Sequence, residues 1–133
     1  MGVHELQRWV DESPFGPWYG LRVESAGDGA ARVRLPYRVE MQRLGGVLNG
    51  GCAMIVADVA MWVAIIAAVD GGERALTVNM STDFLAPARS DIIGTARIIK
   101  AGRRLIVGSV ETHDADGALV AVHRLTYSVP SLR

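Results

Sequence analysis

The stretch NGGCAMIVADVAMWVAII, residues 49–66, decides the fold. From Cys52 to Val69 every side chain is apolar except that of Asp58, and no Gly or Pro interrupts the run. This length is typical of a helix that is apolar on all sides, which is either wrapped by protein or inserted in a membrane. Asp58 would lie in the middle of a membrane span, and no basic cluster flanks either end. The stretch therefore predicts a buried core helix.

The composition of the chain excludes several classes of protein. With 133 residues, half of them hydrophobic, the chain suits one domain over residues 1–133 with one core. A formal net charge of zero leaves no basic face for a nucleic acid. A single cysteine, Cys52, and three histidines without ligand spacing predict no disulfide, no metal site and no cofactor. The start MGVHELQRWVDE is charged where a signal peptide is apolar, which predicts a cytoplasmic protein without a membrane partner.

The rest of the chain is predicted to enclose this helix. A short helix is expected over residues 3–12, with Leu6, Trp9 and Val10 on one side, before a Pro/Gly-rich loop at 13–20. Strands are expected over residues 21–26, 31–37, 75–85, 92–100, 104–113 and 118–129, with a loop over 38–48. Short turns make the last four strands antiparallel neighbours. The prediction is an α+β fold of order β-β-α-β-β-β-β, with one antiparallel sheet around one long central helix.

The beginning of the long helix has the composition of an anion site. Asn49 is a favourable N-cap residue, and Gly50 and Gly51 follow it. Glycine lets another group approach the first helical N–H donors, which have no acceptor within the helix and carry the positive end of its dipole. This arrangement suits an oxygen that gains negative charge. The structural alternative is that the glycines only permit a tight turn or close packing.

Asp58 is the candidate acid, and its spacing has a geometric consequence. It lies eight residues beyond Gly50, or about 12 Å along the helix axis. An oxyanion donor and a catalytic carboxylate must both reach one substrate, so these two residues of one chain cannot share a reaction. Two helices running antiparallel across a two-fold axis would bring Gly50 of one chain to Asp58 of the other. The structural alternative is a buried carboxylate that is paired or capped.

At three places the chain resembles a known family. The first segment, residues 45–60, has the sequence GGVLNGGCAMIVADVA. It is similar to the pattern G-x-x-H-G-G-x7-D of the hotdog-fold acyl-CoA thioesterases, in particular the branch of the phenylacetate-degradation thioesterase. LTVNMSTDFLAPARSD (76–91) resembles the strand that follows in that family. The third segment resembles the last two strands of that family and has the sequence KAGRRLIVGSVETHDADGALVAVHRLTYSV (100–129). The order and spacing of the three segments carry the resemblance over nearly the whole chain.

The resemblance implies a hotdog fold, a homodimer that often pairs into a tetramer, and hydrolysis of an acyl-CoA thioester to a free acid and coenzyme A. In that family the N–H matching Gly50 is the oxyanion donor. The acid matching Asp58, from the partner subunit, is nucleophile or general base. The position matching Thr77 carries a hydroxyl that helps to hold water or the acid.

The chain departs from the family pattern at two positions. The usual histidine before the glycines is Asn49 here, which can donate a hydrogen bond but cannot carry a proton charge near neutral pH. Six residues earlier, where the family often has Asn or Gln to orient water, ungapped matching gives Arg43, with Gln42 beside it. Either Gln42 takes that role, or water is positioned differently.

Further side chains are candidates for contact with the substrate. Trp62 follows Asp58 by four residues on the same side of the helix and can shape an acyl pocket, or can simply pack in the core. Arg89 and Arg103 lie near strand ends and suit the phosphates of coenzyme A, or are solvated surface charges. Aromatic residues of the 13–20 loop can cover the acyl chain.

Three functional hypotheses follow. The first is an acyl-CoA thioesterase acting on a short, medium or aromatic acyl group. The second, motivated by Asn49 and Arg43, is a hotdog protein that binds acyl-CoA or acyl-carrier protein without hydrolysing it. The third, a hydratase or dehydratase, needs an acid–histidine pair, for which His113 and His123 show no matching pattern.

Overall fold

The computed structural model describes residues 1–130. Two short helices, α1 (Val3–Glu12) and α2 (Phe15–Tyr19), precede the hairpin of β1 (Arg22–Gly27) and β2 (Ala30–Leu35). The long helix α3 (Gly50–Ala68) follows a small hairpin of β3 (Gln42–Arg43) and β4 (Val47–Leu48). The remaining strands are β5 (Leu76–Phe84), β6 (Ile92–Ala101), β7 (Leu105–Asp114) and β8 (Leu119–Ser128), and single 3-10 turns occupy Val39–Met41 and Gly72–Arg74.

Six strands form one antiparallel sheet in the order β1-β2-β6-β7-β8-β5. Alternate side chains of each central strand are buried, as Ile106, Val110 and Thr112 are on β7, and these face α3. The sheet thus wraps around the helix, which confirms the predicted hotdog architecture with its short N-terminal helix.

The helix α3 forms the centre of the core. Eleven of its nineteen residues are buried. Gly94 on β6 and Gly108 on β7 allow the close approach of helix and sheet, because a Cβ would lie 3.1 Å from the Val56 carbonyl oxygen or 2.1 Å from Met61 Cε. Among the helices of residues 1–130, α3 is the one that is long and apolar enough to cross a membrane, but most of it is covered by the protein.

The structure corrects three local predictions. The 13–20 stretch is not all loop, because α2 forms there and stops at Gly20, whose φ is +73°. The 38–48 loop contains the small β3–β4 hairpin. Strand β5 is not a neighbour of β6, because it pairs with β8 at the edge of the sheet. The link at 85–91 is no tight turn: the N–H of Leu85 donates to Val120, and the carbonyl of Ala88 accepts from Leu48.

Candidate active site

The N-terminus of α3 is fixed by Asn49. The residue occupies the N-cap position, but its side chain makes no capping hydrogen bond. Instead both its backbone N–H (2.9 Å) and its side-chain Nδ2 (2.8 Å) donate to the carbonyl oxygen of Met41. This double contact ties the start of α3 to the turn before β3. The Asn49 side chain therefore has a structural partner within its own chain.

The two glycines have packing reasons as well as electrostatic ones. A Cβ on Gly50 would lie 3.0 Å from Cε1 of the Phe84 ring, and a Cβ on Gly51 would lie 2.9 Å from Asn49 Oδ1. Within residues 1–130, neither the Gly50 nor the Gly51 N–H donates to a backbone carbonyl. Both donors are thus available at the positive end of the helix dipole.

A cavity of about 550 Å³ opens beside Gly50. Its walls are largely apolar and come from Ala53, Phe84, the link at 85–88, Ile92 and Val120. Asn49 and Arg43 also line it, which brings two of the predicted site residues close to Gly50. The cavity can accept an apolar group next to an oxygen bound at Gly50.

Asp58 is held by two hydroxyl groups. Its Oδ1 accepts hydrogen bonds from Thr77 Oγ1 (2.7 Å) and from the phenol of Tyr127 (2.5 Å). The Tyr127 hydroxyl also lies 2.7 Å from the Asp58 carbonyl oxygen. Burial, followed by the negative charge of Asp58, raises the pKa of Tyr127 far above its usual range, so the phenol remains a donor. Asp58 is only partly buried, and these two donors satisfy one of its carboxylate oxygens.

Asp58 lines a second cavity, of about 620 Å³, along the open face of α3. Gly51, Met54 and Ile55 form its floor, and Trp18 and Tyr19 of the N-terminal segment form one wall. Within one chain Gly50 and Asp58 thus line different cavities.

The other predicted residues are more dispersed. The side-chain amide of Gln42 donates to the hydroxyl of Tyr37. Trp62 Nε1 donates to the Glu73 carbonyl oxygen at 3.2 Å, and the indole lines neither cavity. Arg89 is exposed in the link before β6. Arg103 lies in the β6–β7 turn, with Lys100 and Arg104, on a separate surface cleft.

Sequence patterns assign no hydrogen-bond partner to two buried polar side chains, Tyr127 and His123. Tyr127 contacts Asp58, which lies 69 positions away in the sequence. The sequence signal for this contact is a tyrosine at an inward-facing position of β8, because a buried tyrosine hydroxyl needs a hydrogen-bond partner. His123 lies between Thr82 and Thr112, with hydrogen bonds of 2.9 and 2.8 Å to their hydroxyls. Within the described part of the chain no group of three potential metal ligands occurs.

Comparison with known proteins identifies the family. The model of the thioesterase superfamily matches residues 45–121, more than half of the chain. Human acyl-coenzyme A thioesterase 13 is 30% identical over 80% of this chain and 77% of its own length. The 1,4-dihydroxy-2-naphthoyl-CoA hydrolase of Escherichia coli is 24% identical over 82% and 81%. The crystal structure of zebra fish thioesterase superfamily member 2 superposes with a TM-score of 0.85 at 25% identity, covering 98% of this chain and 99% of that one. With this fold, and with a match that includes both Gly50 and Asp58, the chain belongs to the thioesterase superfamily.

Proposed function

We propose that the protein is an acyl-CoA thioesterase, which hydrolyses an acyl-CoA thioester to the free acid and coenzyme A. The observation that carries the proposal is Asp58, a carboxylate in an apolar helix that is anchored through one oxygen and lines an open cavity. The unpaired Gly50 N–H at the start of the same helix supplies the second requirement, a donor for the thioester oxygen.

The active site is proposed to be composite and to form in a homodimer. Strand β5 pairs with β8 on one side, and its other edge pairs with no strand of residues 1–130. Four apolar side chains along this strand and just after it are more than half exposed: Leu76, Val78, Phe84 and Leu85. An apolar free edge of this length is a template for pairing with another strand. A second copy of the chain, with β5 against β5, satisfies both the edge and the apolar surface.

A symmetric pairing about the middle of β5 would bring the two halves of the composite site together. If two β5 strands pair antiparallel about Met80, the middle residue of Leu76–Phe84, then Thr77 of the partner lies about opposite Asp83. Phe84 is adjacent to Asp83 and touches Gly50. Since Thr77 holds Asp58, this pairing carries Asp58 of the partner subunit towards Gly50.

The chemistry then has two parts. The carbonyl oxygen of the thioester accepts a hydrogen bond from the Gly50 N–H, and the dipole of α3 stabilises the negative charge that develops there. Asp58 of the partner subunit either removes a proton from an attacking water, and the coenzyme A thiolate leaves as the free acid forms, or it attacks the carbonyl carbon itself. In the second route the thiolate leaves an acyl–Asp58 anhydride, which a water molecule then hydrolyses to the free acid and the carboxylate. Thr77 orients the carboxylate in both routes.

The finer features of the proposal concern substrate and assembly. We propose an acyl group of short, medium or aromatic type, as in the phenylacetate-degradation branch, because Trp18 and Tyr19 border the Asp58 cavity. Arg43, Arg89 and Arg103 are proposed contacts for the phosphates of coenzyme A.

Two dimers are proposed to pair into a tetramer. The location is proposed to be cytoplasmic because the proposed substrate is an intracellular thioester.

The first experiment is thiol release from a panel of acyl-CoAs, with wild type, Asp58→Asn and the control Asp116→Asn. Asp116 is exposed in the β7–β8 turn. We expect at least one substrate, a loss of about 10²–10⁴-fold for Asp58→Asn, and no change for the control. Binding of an acyl-CoA without any hydrolysis would instead favour the acyl-CoA-binding alternative.

The second experiment tests the shared site by subunit complementation. Gly50→Pro removes the N–H donor at a first-turn helix position whose backbone suits proline, although the Phe84 ring must move to admit the added Cβ, and Asp58→Asn removes the acid. Each variant alone is expected to be inactive. When the two are unfolded and refolded together in equal amounts, about half of the dimers are mixed, and each mixed dimer has one intact site out of two, so about a quarter of the activity returns. No recovery would exclude the composite site.

A further inference from the structure

We propose that Tyr127 is a positioning residue, which fixes the Asp58 carboxylate so that Oδ2 alone is presented to the substrate. This inference rests on the proposed thioesterase function and extends it to a residue outside the motif at 45–60. It also selects one of the two carboxylate oxygens as the reacting atom.

The hydrogen bonds of Asp58 are distributed unevenly. Oδ1 accepts from both Thr77 and Tyr127, which together occupy the lone pairs of that oxygen. Oδ2 accepts no hydrogen bond from any side chain or backbone group that the structure describes. Since no buried side-chain oxygen in residues 1–130 lacks a partner, Oδ2 must be accessible, and the accessible space beside it is the cavity on the open face of α3.

Tyr127 is a rigid support for this arrangement. Its side chain is 2% exposed, and its backbone pairs with Thr77 on β5 and with Ile106 on β7. The phenol reaches both the carboxylate and the carbonyl oxygen of Asp58, so it fixes the side chain relative to its own backbone. The terminal torsion of an aspartate is otherwise broad, and an unsupported carboxylate would exchange its two oxygens.

Thr77 by itself is a weaker anchor. It lies on the exposed edge strand, next to a break in the register between Thr77 and Asn79. Tyr127, by contrast, is held in the sheet interior between two neighbouring strands. The interior anchor therefore determines where the carboxylate points before the second subunit arrives.

The test is Tyr127→Phe, which keeps the ring in the core and removes only the hydroxyl. We expect kcat to fall by about 10- to 100-fold, as is typical when a hydrogen bond to a charged group is lost, with KM within about twofold of wild type. The control is Thr112→Val, which removes another buried hydroxyl, one that contacts His123 and not Asp58. It is expected to lower the melting temperature and to leave kcat within about twofold.

A second comparison separates positioning from general damage. In the Asp58→Asn background, Tyr127→Phe should change the residual rate by less than about twofold, because there is no carboxylate left to orient. An equal loss in both backgrounds, or an unchanged kcat in Tyr127→Phe while Asp58→Asn is inactive, would overturn the inference and leave the thioesterase proposal standing.

A structural measurement tests the inference even if no acyl-CoA in the panel is hydrolysed, an outcome that would count against the proposed function alone. Crystal structures of wild type and Tyr127→Phe are compared at Asp58. We expect one carboxylate orientation in wild type, and more than one, or a rotated one, in the variant. An Asp58 side chain that keeps its place without the phenol would refute the positioning role.

Discussion

Acidification should destabilise the fold through one buried histidine. His123 is 4% exposed, and both of its ring nitrogens are hydrogen-bonded to threonine hydroxyls. Burial lowers the pKa of His123 from 6.5 to about 4. A neutral imidazole has one donor and one acceptor nitrogen, and hydroxyls can complement either tautomer, whereas a protonated ring would have two donors and a buried charge.

The magnitude follows from the two pKa values. Above pH 6.5 the histidine is neutral in both the folded and the unfolded chain, so its contribution to stability is complete. Between pH 6.5 and about 4 only the unfolded chain binds the proton, and the unfolding free energy falls by about 1.4 kcal/mol per pH unit. Between pH 7.5 and 4.5 the loss from this residue is therefore about 2–3 kcal/mol.

Urea unfolding at pH values between 7.5 and 4.5 measures this loss. His123→Gln is expected to be less stable than wild type at pH 7.5 but to lose about 2–3 kcal/mol less on acidification. His113→Gln, which replaces a partly exposed histidine on the outer face of the sheet, should retain the slope of wild type. If wild type and His123→Gln have the same pH dependence, the buried neutral state of His123 is not the cause of acid sensitivity.

Three further predictions concern other parts of the molecule. Burial raises the pKa of the Cys52 thiol, so iodoacetamide at pH 7.5 should modify Cys52 more slowly in the folded protein than in urea-unfolded protein, and equal rates would contradict this. Gly108→Ala should lower the unfolding free energy by about 1–3 kcal/mol in a denaturant titration, because its Cβ would overlap Met61, and an unchanged midpoint would refute the close contact. Val78→Lys on the β5 edge should shift the protein from dimer to monomer in light scattering and abolish thiol release; an active dimer would argue against pairing through this edge.

Much of the fold could be predicted because local patterns and tertiary contacts agree. The apolar run after Asn49 forms α3 almost as predicted, since an all-apolar helix can only be enclosed. Strands β6, β7 and β8 follow alternating patterns and short turns, which specify hairpins locally. The place of β5 could not be predicted in this way. Its pairing with β8 depends on a seven-residue link with hydrogen bonds to distant segments.

The candidate site could be predicted from the sequence only in part. Gly50 and Asp58 belong to one motif, so their spacing along the helix is legible in the sequence. The anchor Tyr127 was not, because its contact with Asp58 joins residues 69 positions apart and exists only after β8 has closed the sheet. Asn49 was expected at the N-cap and is found there, but its side chain binds Met41 because the preceding turn brings that carbonyl within reach.

The central position of α3 also has a consequence for biosynthesis. The helix is complete at residue 68, but β6, β7 and β8, which cover much of it, end only at residue 128. A nascent chain on the ribosome therefore carries an apolar helix whose cover by β6, β7 and β8 has not yet been synthesised. Folding must wait for the carboxyl-terminal half, and these contacts are distant in sequence, which slows it. During translation the emerging chain should be a client of chaperones that bind exposed apolar helices.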